Sequence, residues 1–152
     1  MTDDWRRHLL TTSADVRTLL QGISRVAVLG ARPASLAHKA AYFVPQALQD
    51  MGLTVVPVVV HGHDDTQILG EAVYRRLVDV PGQLDLVDVF RRSEDLPGHV
   101  NDLVARAPRA VWFQSGIRND AVAEQLAQAG IQVVQDRCLM VDYRAVARSG
   151  RG

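Results

Sequence analysis

Five short apolar runs rich in β-branched residues punctuate the chain, at positions 25–29 (RVAVL), 54–60 (TVVPVVV), 85–90 (DLVDVF), 110–113 (AVWF) and 132–135 (QVVQ). Several are apolar at consecutive positions, the pattern of strands buried on both faces. Between them the apolar residues fall at helical spacing, and this alternation builds a parallel sheet covered by helices. Thr12 and Asp15 are placed to form a capping box before Val16, Leu19 and Leu20, and Gly22 is placed to stop that helix. A second helix is predicted over residues 38–51, ended by Gly52, with Pro45 inside it implying a kink or a later start. A third opens at Ser93 or Asp95 and runs through Ala107 with Pro97 in its first turn, and Asn119 caps a fourth over 120–129, closed by Gly130. The last runs from Asp136 to about Ala147, and residues 73–75 read as a short edge strand, the sixth. The expectation is an α/β fold, a doubly wound parallel sheet in three layers. It forms a single domain over residues 1–147 with a loose tail from Arg148.

Composition narrows the function classes. With 152 residues, 47% of them hydrophobic, the chain is long enough for one sizeable core and short for two. Seventeen basic residues balance seventeen acidic ones, so no field of one sign draws the chain to nucleic acid or to an anionic membrane. The lone Cys138 excludes an internal disulfide. No stretch approaches the roughly 18 apolar residues of a membrane span. The acidic start, MTDDWRRHLL, has no apolar run of signal-peptide length. A soluble cytoplasmic protein is the expectation.

In open α/β sheets, ligands bind beyond the carboxyl ends of the strands. Four segments therefore carry the candidate chemistry: 30–37, 61–66, 90–95 and 114–119. The first strand ends in Gly30-Ala31-Arg32-Pro33-Ala34-Ser35. There a tight turn, successive backbone N–H groups and the following helix can face a phosphate, with Arg32 adding a charge-assisted contact. A GxGxxG fingerprint is absent, because Arg32 and Ser35 break it, and no acid ends the second strand, since Asp64 and Asp65 come late. Ordinary NAD(P) binding therefore stands as an alternative, and Gly30 is equally explicable as a plain βα turn. His61-Gly62-His63-Asp64-Asp65 has metal-ligand chemistry, but adjacent loop residues without a third, distant ligand make a weak site, and no metal is assigned. Arg91 and Arg92 read either as ligand contacts or as a solvated cap near Glu94, Asp95 or Asp88. Cys138, beside Arg137 at a helix start, is either a half-buried structural cysteine or the centre of a redox response.

More specific signals follow in order along the chain. They are Ile68-Leu69-Gly70-Glu71-Ala72-Val73-Tyr74, Asp79-Val80-Pro81, the run 84–97 (LDLVDVFRRSEDLP), Val111-Trp112-Phe113-Gln114-Ser115-Gly116-Ile117-Arg118-Asn119 and Asp136-Arg137-Cys138-Leu139-Met140. Together they resemble the small stand-alone CoA-binding proteins, relatives of the CoA-binding Rossmann domain of the succinyl-CoA synthetase α subunit. The resemblance implies a sheet of order 3-2-1-4-5-6 with coenzyme A across its carboxyl edge. It places the diphosphate on Gly30, Ala31, Arg32 and Pro33 with Ser35 nearby, and the adenine side at Val59, Val60 and His61. The pantetheine arm would pass Phe90, Phe113, Gln114, Ser115 and Gly116, and Arg91 and Arg92 complete the candidate set. The chain departs from the family at Val59-Val60, where members often carry Asn-Pro.

The histidine that carries phosphate in the synthetase lies outside this domain. The chain also shows no Gly-x-Ser-x-Gly elbow, Walker loop or paired-carboxylate motif. A non-catalytic module that binds CoA or acyl-CoA is expected. The alternatives are an acyl-CoA-transforming or NAD(P)-binding enzyme component, and a redox-responsive protein in which Cys138 forms a mixed disulfide with the CoA thiol. A homodimer is possible through Trp5, Leu9 and Leu10, which can equally pack on the chain's own sheet.

Overall fold

The computed structural model describes residues 4–62 and 64–149. Its strands are β1 (Arg25–Leu29), β2 (Thr54–Val58), β3 (Gln67–Ile68), β4 (Glu71–Ala72), β5 (Leu86–Val89), β6 (Ala110–Phe113) and β7 (Gln132–Val134). Its α-helices are α1 (Ser13–Leu20), α2 (Ala40–Asp50), α3 (Val100–Arg106), α4 (Asp120–Gln128) and α5 (Leu139–Ser149). One parallel sheet takes the order β2-β1-β5-β6-β7, and β3 and β4 make a small antiparallel hairpin apart from it.

Because side chains alternate along a strand, the consecutive apolar runs build two cores. Val26, Val28, Leu86, Trp112 and Val134 face one way, against Val16, Leu19, Val44, Leu48 and Leu139 of α1, α2 and α5. Leu29, Val87, Val89, Val111 and Phe113 face the other way, against Leu103 and Leu126 of α3 and α4. Each fully buried Leu or Phe contributes about 1.5–3 kcal/mol, so the two layers of helices hold the sheet from both sides. The three-layer, Rossmann-like α/β fold is as the chain pattern implies.

The sixth strand is not. Its place beside β2 is taken by one residue: Tyr74 pairs in parallel with Val58, its N–H donating to Pro57 O at 3.0 Å while Val59 N–H donates to Tyr74 O at 2.8 Å. Pro57 has no N–H for the next rung, so the ladder stops there. Several helix ends also differ. A 3-10 turn (Ala34–Leu36) precedes α2, which starts at Ala40 rather than at residue 38, and Pro45 stays inside it. The predicted third helix divides into a 3-10 stretch (Ser93–His99) and α3. The last helix starts at Leu139 because Asp136 has φ 57°, in the left-handed region, and it runs on through Arg148 and Ser149, which the sequence puts in a loose tail.

The two caps are in place: Asp15 N–H donates to Thr12 Oγ1 at 3.1 Å and Val122 N–H to Asn119 Oδ1 at 3.1 Å. Near the N-terminus, Leu9 bridges Val133 and Leu10 N–H donates to Val133 O at 2.9 Å, so this segment covers the exposed edge of β7 on its own sheet. Among the described residues no helix is long and apolar enough to cross a membrane.

Candidate functional site

The carboxyl ends of β1 and β5 approach so closely that Gly30 is required. Its φ is +95°, and a Cβ there would lie 2.6 Å from Phe90 O and 3.2 Å from Arg91 Cδ. The amides that follow do not face outward. Gly30 and Ala31 N–H both donate to Val58 O, at 2.9 and 3.1 Å, and Arg32 N–H donates to Ala41 O at 3.2 Å. Ala41 O is free for Arg32 because Pro45, four residues on, has no N–H to offer it. The expectation that successive N–H groups of this turn cradle a phosphate is therefore corrected: three are spent on β2 and α2, and Pro33 has none. The donors that project at this edge belong instead to the first turn of α2. Its Ala40 and Ala41 N–H groups have no intrahelical acceptor by construction, and its N-cap, Lys39, supplies no side-chain cap.

A cavity of about 680 Å³ opens in front of that turn. Arg32, Leu36 and the start of α2 form one wall, and the sole lysine of the chain, Lys39, stands at its lip. Phe90 and Gln114, which continue β5 and β6, form the floor. Arg92, Glu94, Gly116 and Ile117 close the far side. Gln114 is held by its Oε1, which accepts from Leu139 N–H at 3.3 Å, and Gly116 N–H donates to Asp136 Oδ1 at 2.7 Å.

Of the residues singled out from sequence, Arg32, Phe90, Arg91, Arg92, Gln114, Ser115 and Gly116 come together around this cavity. Gly30, Ala31, Pro33 and Ser35 do not line it, and Val59 is buried. Phe113 is fully buried in the opposite core, because a strand turns adjacent side chains to opposite faces and Gln114 takes the cavity side. Its neighbour Trp112 is core, donating Nε1–H to Arg137 O at 2.7 Å. Val60 borders a second hollow of about 180 Å³, with Leu77, Arg76, His99 and Asp102. Of the other lining residues, Leu36, Ser93, Glu94 and Ile117 fall within the candidate segments without being singled out, and Lys39, Ala40 and Ala41 fall outside them. Setting the start of α2 two residues later, at Ala40 with Lys39 as its N-cap, would have drawn attention to Lys39, Ala40 and Ala41.

Arg92 and Arg91 form a cap on Asp95. Arg92 Nε lies 2.9 Å and Arg91 Nη2 3.5 Å from Asp95 Oδ2, and Glu94 is 3.6 Å from Arg92. The hydrogen bond from Arg92 holds the Asp95 carboxyl below its usual range. Arg91 also reaches two imidazoles: its Nε donates to His99 Nε2 at 3.3 Å, and its Nη2 lies 3.1 Å from His61 Nε2. Burial, and then the charge of Arg91, push the half-buried His99 below its ordinary value.

Asp88 takes no part in that cap. Its Cα pairs with Val28 and Trp112 in the middle of the sheet, on the face that two residues later presents Phe90 to the cavity floor. It is fully buried, neither carboxylate oxygen has a hydrogen-bond partner among the described residues, and burial raises its pKa well above the ordinary value. Burial thus favours its protonated, uncharged form. Cys138 is half-buried against the core, one residue before α5, and Arg137 beside it is paired with Asp142 at 2.7 and 2.9 Å. His63 lies outside the described residues, and among those described no group of three or more His, Cys, Asp or Glu converges.

Comparison with known proteins gives a consistent set of relatives. The family model described as a CoA binding domain matches residues 24–144. The YneT protein of Bacillus subtilis (strain 168) is 32% identical over 134 residues, which cover 87% of this chain and 94% of that protein. The structure of ID.343 from Thermus thermophilus superposes with a TM-score of 0.81 at 34% identity, covering 90% of this chain and 99% of that one. A Pyrococcus horikoshii OT3 protein superposes with a TM-score of 0.80 at 26% identity, over 90% and 92% of the two chains.

Proposed function

The chain belongs to the CoA binding domain family, and from that premise we propose that it binds coenzyme A or an acyl-CoA in the cavity between α2 and the ends of β5 and β6. On this reading it is a binding or regulatory module that does no chemistry of its own. The observation that carries it is the polarity of one crevice. Arg32, Lys39, Arg91, Arg92 and the first turn of α2 bring positive charge and N–H donors to its lining, and Leu36, Phe90 and Ile117 bring apolar area. A CoA molecule suits both, with an anionic nucleotide joined to a long, mostly neutral arm, and the cavity volume is within the usual range for such ligands. The diphosphate belongs at Arg32, Lys39 and the α2 amides, where the helix dipole adds to the attraction. The arm belongs over Phe90, with the Gln114 side chain available to its amides. The adenosine end extends toward Val60 and His61.

Thermal-shift and calorimetric titrations with CoA, acetyl-CoA, NAD and NADP test the reading. At a hundredfold excess of ligand over Kd, binding stabilises the fold by about 2.7 kcal/mol, which raises the Tm of a domain this size by roughly 5–10 °C. A rise with CoA or acetyl-CoA and none with the nicotinamide nucleotides supports it. A rise with NAD or NADP alone overturns it in favour of a dinucleotide-binding enzyme component.

A further inference from the structure

Arg91 stands between the two cavities. Its stem packs over Gly30, within 3.2 Å of where a Cβ would sit, and lines the larger cavity. Its guanidinium reaches His99, which borders the smaller one, and His61 on the loop after β2. A guanidinium can only donate hydrogen bonds, so each contact requires the Nε2 atom of the ring to offer a lone pair, with that ring's hydrogen on Nδ1. Protonating either ring would turn its Nε2 into a donor facing a cation. The third acceptor, Asp95 Oδ2, is the more distant at 3.5 Å and is shared with Arg92. Arg91 is thus a largely buried cation, its side chain 12% exposed, that shares one carboxylate with Arg92 and otherwise meets uncharged acceptors at the cavity wall. A phosphate oxygen pair is a stronger and geometrically better partner for it.

Resting on the CoA reading above, we propose that Arg91 couples ligand binding to proton uptake: the ligand diphosphate takes the guanidinium from His61 and His99, and the released imidazoles accept a proton from solvent. The charges around them favour that step. His99 faces Arg91 at the end of β5, Asp95 on its own turn, Asp102 on α3 and His61 on the β2 loop, while Asp102 is itself bound by Arg76 at 2.8 Å. With Arg91 withdrawn, the two carboxylates and an incoming anion favour a proton on His99, and His61 is the one of these groups that opposes it. The lowered proton affinity of free His99 agrees with the geometry. The bound form then holds more protons than the free form, so affinity rises as pH falls. The limit is about tenfold per pH unit for each whole proton taken up.

The test uses dephospho-CoA, because the 3′-phosphate monoester of CoA itself titrates near pH 6. Calorimetric titration at pH 6.5 in non-phosphate buffers of different ionisation enthalpy should register uptake of roughly half to one proton. Between pH 7.5 and 6.5, Kd should tighten about threefold to tenfold. Side-chain NMR of the wild-type protein should show His61 and His99 titrating at higher pH in the complex than in the free protein, and H99Q and H61Q should each reduce the uptake. Dephospho-CoA binding with no net proton uptake, or with both ring titrations unchanged, overturns the coupling and leaves the binding reading intact. Uptake that persists undiminished in both variants does the same. Failure of both CoA and dephospho-CoA to bind at any pH removes the binding reading itself.

Discussion

Replacing Asp88 with valine should stabilise this protein, although it alters the centre of the sheet. The carboxyl is fully buried with two unpartnered oxygens, so folding removes it from water with nothing in return. A neutral polar group buried without a hydrogen bond costs about 1–3 kcal/mol on the scale of protein mutations. Valine already stands at the paired position 28 and at the flanking positions 87 and 89, so the added carbon volume offsets only part of the gain. The net expectation is a gain of about 1–2 kcal/mol below about pH 4, where the acid is protonated folded and unfolded alike, or roughly 2–8 °C in Tm, and a larger gain at neutral pH. The pH dependence has a definite sign. Unfolded, the acid ionises near pH 3.9, and folded, burial keeps its proton to a much higher pH. The folded state therefore holds one more proton above pH 4. Stability falls as pH rises, by up to about 1.4 kcal/mol per unit, until the folded pKa is passed. Asp85 and Asp95, both held below their usual range, slope the other way, but that contribution is complete by about pH 5. His99, held below its ordinary value, adds a rise of stability with pH up to about pH 7, so urea denaturation between pH 5 and 8 reads Asp88 as the difference in slope between wild type and variant. Asp88→Asn and Asp88→Val should both lose the falling component that the wild type shows. A valine variant less stable than wild type by more than about 1 kcal/mol, or a slope unchanged in both variants, would refute the reasoning.

Three further expectations follow from particular contacts. Gly30→Ala forces a side chain into a φ of +95° and onto Phe90 O at 2.6 Å, so urea denaturation should show a loss of at least about 2 kcal/mol; a loss below 0.5 would mean the two strand ends separate freely. Asp85 is pushed up by burial but held lower by N–H donors from Arg25 and Ser24 at 2.9 and 2.8 Å and by the Ser24 hydroxyl, so its contribution is present above about pH 4 and lost as pH falls through its folded value. Asp85→Ala should cost about 1–3 kcal/mol at pH 7 and much less at pH 2–3; an equal cost at both would assign it to packing. Arg32→Ala should weaken CoA about tenfold to a hundredfold by calorimetry while leaving unphosphorylated pantetheine nearly unchanged, and equal losses would place Arg32 away from the phosphates.

What could be read from the chain depended on whether the determining contact was local. The five central strands were legible because runs such as VAVL and AVWF are apolar at consecutive positions, the pattern of a doubly covered strand. The caps at Thr12 and Asn119 were legible because a cap is a three-residue event. The sixth strand failed because its length is set by Pro57 on a different strand. The turn amides failed because the acceptor for Arg32 exists only through Pro45, thirteen positions further along, and because Val58 O serves two donors, Gly30 and Ala31, from the turn after β1. Phe113 was placed on the wrong side because AVWF gives no phase: both faces are buried, and only its continuation into Gln114 distinguishes them. The pairing of Arg91 and Arg92 with Asp95 was within reach as a local cap, whereas the two imidazoles on Arg91 come from elements 8 and 30 residues away.

The most direct trial of the CoA reading is the structure of the protein in complex with coenzyme A. It predicts the diphosphate against Arg32, Lys39 and the first turn of α2, with the pantetheine arm lying over Phe90 toward Gln114. A ligand seated at the amino ends of the strands, or a cavity left vacant at saturating CoA, would contradict it.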